Sequence, residues 1–435
     1  MIMNTKVGSV RNTWSGALIA IALLFSACTN STESEETSLL LGSEENYVVE
    51  VLAKDLHDAS TSTIKGQAET EETVLIDAEN WIAITANFEE AGRYQVQVVA
   101  KNAAESSSLV WLEDYYDNPD DRNYDVTGKI SFSNRDAFEV SGVDGSPFNK
   151  GKHNMKLHVS EGAVHIEKVI FTLMMPHSAS EKILEQATSG ETWTLVWSDE
   201  FDGDTIDESK WTYDFGDWGW GNNELQYYTA SRSENARIED GHLIIEARKD
   251  DFDKAWTSAR LTTRGKVAFL YGKIEFKAKV PSLKGNWAAG WTLGNTYVDE
   301  KDWPYCGEID ILESVGYEVD NETGDGIAHA TVHTPAYYFK INNQISSQKA
   351  IPNMASEFHT YAVEWTPTEI KMLVNDEVYY TYDKNANEKE WPFHIPQNII
   401  LNLAIGGGWG GSQGLDPEMT SQEFILDYVR VYEKR

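Results

Sequence analysis

Apolar and polar residues alternate one for one in run after run along this chain. Early examples are Tyr47-Val48-Val49-Glu50-Val51-Leu52, Tyr94-Gln95-Val96-Gln97-Val98-Val99 and Met155-Lys156-Leu157-His158-Val159. Later ones are Leu243-Ile244-Ile245-Glu246-Ala247, Gly272 to Val280 and Phe424 to Tyr432. Successive side chains of a strand point to opposite faces, so each run buries one face and wets the other. Turn signals such as Glu90-Ala91-Gly92 and Asn149-Lys150-Gly151 separate the early runs, and no helical period competes with them. The chain is therefore expected to be all-β. At 435 residues it exceeds one ordinary domain. The spacing predicts a smaller β-sandwich over residues 46–175, a linker without strands over 176–192 and a larger sandwich over 193–435.

The first residues carry an address rather than a fold. Lys6 and Arg11 precede the apolar run Gly16 to Phe25, which ends in Ser26-Ala27-Cys28. A run this short does not span a bilayer, which takes about 20 apolar residues. A basic start, a short apolar stretch and small residues predict a signal peptide over 1–27. A Cys directly after the small residues resembles a bacterial lipobox. That resemblance implies cleavage before Cys28 and a lipid anchor on its thiol, hence a secreted lipoprotein at the outer membrane or cell surface. Phe25 departs from the usual Leu, and an ordinary secretion signal with a chance Cys is the simpler alternative. Residues 28–45, rich in Ser, Thr and Glu, are expected to be an acidic tether. Cys306 is the other cysteine, so neither a disulfide scaffold nor a cysteine zinc site is expected.

Lys+Arg number 36 against 70 Asp+Glu, a net charge of −34. Such a surface repels phosphate and excludes nucleic acid as the natural partner. It suits a neutral polymer, although an acidic surface also serves solubility alone. Twelve of the 15 Trp lie from Trp193 onward. Some must be core. Flat aromatic faces also pack against the C–H faces of sugars, which favours a carbohydrate cleft.

One segment concentrates the chemistry: Gly307-Glu308-Ile309-Asp310-Ile311-Leu312-Glu313. Glu308 and Asp310 share a face of a strand, whereas Glu313 has the wrong parity. One extra residue, a bulge at Ile311-Leu312, would bring all three acids to one side. Two carboxyls about 5–5.5 Å apart are what a retaining glycosidase needs, one to attack the anomeric carbon and one to shuttle the proton. Close negative charges resist ionising together, which raises the acid's pKa. An acidic and apolar alternation is more commonly a solvated face. Against that stand the apolar surroundings, Trp287, Trp291 and Trp303 just before, and His329 and His333 four apart on a later strand. Those histidines lack a third ligand of zinc spacing; they hydrogen-bond in a cleft or sit in the core.

Two resemblances extend this picture. Trp81 to Ile84, Phe88 to Tyr94 and Gly151 to Leu157 resemble family-six-type carbohydrate-binding modules. That implies sugar binding through loop aromatics, with Trp111, Tyr115, Tyr116 and Tyr124 as candidates. Trp81 and Trp111 are more often core residues, and the alternative role for the domain is a spacer.

The second resemblance covers nearly all of 193–435. Leu195 to Phe201, Gly219 to Tyr228, Ser258 to Thr263, Tyr271-Gly272, Cys306 to Glu313 and Thr331-Val332-His333 are similar to glycoside hydrolase family sixteen, nearest its laminarinase branch. The resemblance implies a β-jelly-roll with a sugar cleft across its concave sheet. It implies Glu308 as nucleophile, Glu313 as acid/base and Asp310 as the residue that tunes the nucleophile. Asn222, Arg260, Trp287, Trp291, His333 and Trp409 are expected to line the cleft, with Trp291 the foremost sugar platform. A structural calcium ion is implied at Glu200, the Gly241 carbonyl and Asp427; hard oxygen ligands suit it. No cofactor is implied for catalysis. The expected function is hydrolysis of internal β-1,3 linkages of laminarin-type, and also mixed-linkage, glucans by a monomer. The alternatives are an agarase-like β-galactan hydrolase on the same fold and a non-catalytic surface glycan-binding lipoprotein. Ala288, where relatives commonly carry Pro, and Thr334 to Phe339 depart from the pattern and bear on substrate choice.

Overall fold

A computed structural model describes residues 47–56, 66–70, 73–117, 123–384 and 387–435. The segments expected as signal peptide over 1–27, lipidation site at Cys28 and tether over 28–45 lie outside the described residues. No helix among those described is long and apolar enough to cross a membrane. The described strands form four sheets, of six, five, nine and ten strands.

The first two sheets make the N-terminal sandwich. One carries Gly92–Asn102 paired with Ala163–Pro176; the other carries Gly151–Glu161 between Asn80–Phe88 and Ser108–Asp114. Alternation sets which side chains meet between them. Ile82, Ile84, Val96, Val98, Leu112, Met155 and Leu157 are buried, while Trp81, Thr85, Lys156 and His158 face outward.

The other two sheets make the catalytic-size sandwich. The nine-stranded sheet places Gln397–Ile405, Asn286–Gly294, Glu308–Val315, Gly326–His333 and Ile345–Ile351 side by side. The ten-stranded sheet is centred on Ser421–Lys434 and Gly272–Lys279. Their facing sides share one core that includes Phe276, Ile309, Ile311, Leu312, Leu401 and Val429.

Residues 176–192 are not a strandless linker. Ile183–Glu185 pairs in parallel with Ala268–Leu270. Asn295 and Ser180 exchange hydrogen bonds, and Asn398 Nδ2 donates to Ser180 Oγ at 2.8 Å. Ser180 and Gln186 are buried. Polar residues without alternation hid this strap, because its bonds go to side chains far away in sequence.

The two sandwiches touch over a desolvated seam. Asp217 N–H donates to the Asp144 carbonyl and Asp144 N–H to Asp217 Oδ1. A Cβ on Gly145 would fall 2.1 Å from the Phe215 carbonyl oxygen, and one on Gly216 would fall 2.0 Å from that of Asp144. Both glycines have positive φ, so backbone approach and conformation together require them. The N-terminal core runs on without a break into Trp218, Trp220, Tyr297 and Trp303 of the second sandwich.

Candidate active site

The Glu308–Val315 strand carries the expected irregularity. Against Asn286–Gly294, Trp291 pairs with Asp310 and Gly290 with Leu312, so Ile311 has no partner. On the other side the register shifts between Asp310 and Glu313. Ile311 and Leu312 both enter the core, at 1% and 0% exposure. Two consecutive inward residues reset the parity, and Glu308, Asp310 and Glu313 line one cleft.

That cleft has a volume of about 550 Å³. Asn222, Arg260, Trp287, Trp291, His333 and Trp409 all line it as well. Trp303 Nε1–H donates to Glu308 Oε2 at 3.0 Å. Trp287 Nε1–H donates to Glu313 Oε1 at 3.2 Å. Each glutamate thus has an indole donor of its own. Trp291 Nε1–H donates to Asn402 Oδ1 at 2.7 Å. The Arg260 guanidinium lies 4.8 Å from the ring centroids of both Trp220 and Trp291, and its Nε donates to buried Asp214 at 3.0 Å. Arg260 therefore braces the wall, and one face of the expected platform Trp291 is already covered. Trp409 packs edge-on against Trp287 and His329, and Gly408 N–H donates to the Asn222 carbonyl.

Burial governs the electrostatics. Desolvation and then the Glu313 charge push the Glu308 carboxyl up. Asp310 is pushed well up by burial and by both glutamates, and Glu313 is pushed up chiefly by burial. The Trp303 N–H and Arg260 act the other way on Glu308 and favour its anion. Burial pushes the His333 imidazole down to about 4, so it is neutral near pH 7. Its Nε2 stands 3.5 Å from Glu308 and 3.4 Å from Asp310. A neutral ring there separates the two carboxyls without adding charge. His329 pairs across from Glu313, and His333 from Glu308. His329 Nε2 reaches Glu318 at 2.6 Å. Both histidines thus belong to the cleft.

Glu308, Asp310 and His333 bring potential ligand atoms within 4.8 Å of one another. A cation bound there would compete for the carboxylate that already accepts from Trp303. Two of the expected calcium positions are engaged with cations. Arg430 binds Glu200 through Nε at 3.0 Å and a terminal nitrogen at 2.7 Å. Lys277 Nζ holds Asp427 at 2.7 Å. An ion joining Glu200, Gly241 and Asp427 would compete with these two half-exposed cations for its carboxylates.

Two expected sugar contacts of the N-terminal sandwich lie elsewhere. Tyr115 and Tyr124 are 8% and 2% exposed, facing the other sandwich rather than solvent. Their rings fill the seam, and their hydroxyls bond to Asp299 and to the Trp303 carbonyl. Trp111 stacks on His158, while Trp81 lies against Tyr116 and under Lys156, all half-buried on the outward sheet face.

Several cleft residues escaped the sequence reading. Trp220, Tyr297, Phe339, Lys340 and Asn402 line it, as does half-buried Glu224, which desolvation pushes up to about 7. Phe339 ends the departing segment Thr334 to Phe339 and is followed by Lys340, so that departure does reach the cleft. The signal for Glu224 was its place in the quoted Asn-Asn-Glu-Leu-Gln phrase. Lys340 had none.

Residues 223–430 match the family described as Glycosyl hydrolases family 16. A beta-glucanase from Rhodothermus marinus is 46% identical over 254 residues, covering 55% of this chain and 85% of that protein. A glucan endo-1,3-beta-glucosidase from Cryptopygus antarcticus is 35% identical over 256 residues, covering 55% of this chain and 91% of its own. Among solved structures, the Rhodothermus marinus laminarinase matches with TM-score 0.52 over 56% of this chain and 98% of its own, at 46% identity. The laminarinase from Flavobacterium sp. UMI-01 matches with TM-score 0.50 over 55% of this chain and 100% of its own, at 38% identity.

Proposed function

Because the chain belongs to glycosyl hydrolases family 16, we propose that it hydrolyses internal β-1,3-glucosidic linkages of laminarin-type glucans by double displacement. One observation carries this reading: the unpaired Ile311 turns three carboxyls onto one face of a Trp-lined cleft. Glu308 is the nucleophile. Burial and the Glu313 charge push its carboxyl up to about 8, and its indole donor and Arg260 oppose that rise and favour its charge. Glu313 is the acid/base, its proton retained by burial beside the other acids. Glu308 attacks the anomeric carbon as Glu313 protonates the departing oxygen. Glu313 then takes a proton from water, which releases the sugar with retained configuration. Asp310, its carboxyl pushed up by burial and by both glutamates, tunes Glu308 from two residues away.

Product analysis on laminarin, lichenan, agarose and carrageenan tests the reading. Oligosaccharides released from laminarin in the retained anomeric form are expected. Release from agarose alone would favour the β-galactan alternative, and binding without release would favour the glycan-binding one. The lipid anchor on Cys28 belongs to this proposal as the means of holding the enzyme at the cell surface. Metabolic labelling with a fatty acid, lost in Cys28→Ser, tests it. The likeness of residues 46–175 to a carbohydrate-binding module is supported by the Trp81 and Trp111 face, and a structural calcium ion at Glu200, Gly241 and Asp427 belongs to the proposal through their oxygen donors.

A further inference from the structure

The loop from Val298 to Trp303 joins the nucleophile to the N-terminal sandwich. At its end, the Trp303 indole N–H sits on Glu308, while the Trp303 carbonyl accepts from the Tyr124 hydroxyl at 3.0 Å. At its start, Asp299 Oδ2 accepts from the Tyr115 hydroxyl at 2.7 Å and the Asn149 backbone N–H at 2.9 Å. All three donors belong to the N-terminal sandwich. Lys340, on the cleft side, places its Nζ 4.3 Å from the Tyr124 ring centroid and 5.8 Å from that of Trp303. The tyrosine hydroxyls are out of water, so losing one leaves its buried acceptor without that bond instead of handing it to solvent.

The neighbouring wall has the same backing. Trp220 holds a left-handed backbone, φ 53°, which a bulky residue keeps only where its surroundings enforce it. Arg93 of the N-terminal sandwich lies buried 5.9 Å from the Trp220 and Tyr297 ring centroids. The Flavobacterium laminarinase chain is matched along 100% of its length by 55% of this chain. That match leaves the rest of this chain without a counterpart in the crystallised one.

We infer that Tyr124 is a positioning residue of the hydrolase: it holds the Trp303 carbonyl, and so fixes the indole that hydrogen-bonds the nucleophile. The N-terminal sandwich is then part of the active-site scaffold rather than a tethered accessory. This rests on Glu308 being the nucleophile. Glu313, Asp310, Glu300, Arg260 and His333 also face Glu308. Weakening the Trp303 bond leaves these groups in place and removes a donor that favours the anion. The nucleophile then ionises at higher pH.

The test uses Tyr124→Phe, Trp303→Phe and the double variant in the full chain, assayed on laminarin across pH. Tyr124→Phe is expected to lower kcat roughly tenfold, the scale of a small misplacement at a reacting centre. KM should change less than kcat, and the acidic limb of the kcat/KM profile should move to higher pH. Trp303→Phe should move it further, and the double variant no further than Trp303→Phe alone. A Tyr124→Phe enzyme with normal kcat and an unmoved acidic limb overturns the inference, even if it melts earlier. So do effects that multiply in the double variant. If Tyr124→Phe does not fold, Tyr115→Phe must show the same kcat loss and limb shift, and normal kinetics there overturn the inference. Glu308→Gln separates the two readings. An active Glu308→Gln defeats the nucleophile assignment, whereas an inactive one beside a silent Tyr124→Phe defeats only the positioning role.

Discussion

Both halves of this molecule are sandwiches of alternating strands, yet they spend their outward faces differently. In the N-terminal sandwich the outward aromatics Trp81, Trp111 and Tyr116 are engaged with His158 and Lys156 on the sheet face, and Tyr115 and Tyr124 are sealed in the seam. In the larger sandwich one sheet face holds three carboxyls open to a cleft, and Glu308 and Glu313 each have a Trp donor. Aromatic content alone therefore does not identify a sugar site. What distinguishes the two is buried acid held at a cleft, which costs stability and persists where chemistry needs it.

The sharpest way to break that contrast is Glu308→Gln. Turnover on laminarin should fall roughly 10⁴-fold or more, as when a nucleophile is removed. Oligosaccharide binding should survive, and near-normal turnover would end the assignment. Glu313→Gln should lose about 10²–10⁴-fold, the contribution of general acid–base catalysis. The loss should be smallest on aryl glycosides, whose leaving groups need no proton, and an equal loss on both substrates would argue against the acid/base role.

The same variant should be more stable than the parent in a pH-dependent way. The folded pKa of Glu313 lies above its unfolded value of 4.5, at about 7. Its contribution to stability is thus complete below about pH 4.5 and is lost as pH rises through 7. Glutamine does not titrate, so Glu313→Gln should gain on the order of 2 kcal/mol at pH 8 and little at pH 4.5. In a thermal melt that is roughly 4 °C or more at pH 8; a gain of the same size at both pH values would refute the cause. The smallest effect is expected from Trp81→Ala, which touches the other sandwich. Hydrolysis of soluble laminarin oligosaccharides should change less than about twofold, as for a surface change away from the chemistry. A larger loss would merge the two faces into one function.

The legible parts of the site were local. Alternation announced strands, and parity placed Glu308 with Asp310 and required an extra residue before Glu313. The observed gap at Ile311 meets that requirement, since inward packing of Ile311 and Leu312 is the way a strand keeps its core face through a bulge. All nine expected catalytic and cleft residues line one cavity. The illegible parts depended on partners far away in sequence. Residues 176–192 showed no period because Ser180 bonds to Asn295 and Asn398. Tyr115 and Tyr124 looked like loop aromatics, but their hydroxyls serve acceptors 184 and 179 residues away. Glu200 and Asp427 showed no sign in sequence of Arg430 and Lys277, which pair with them in the fold.

The amino-acid order by itself thus determined the all-β class, the face on which the acids stand and the need for a bulge. Those follow from side-chain geometry within one strand, which neighbours along the chain control. Only the tertiary structure decided that each glutamate has an indole donor, that His333 is neutral and that one sandwich braces the other. Those depend on burial and on contacts between segments that no local pattern records.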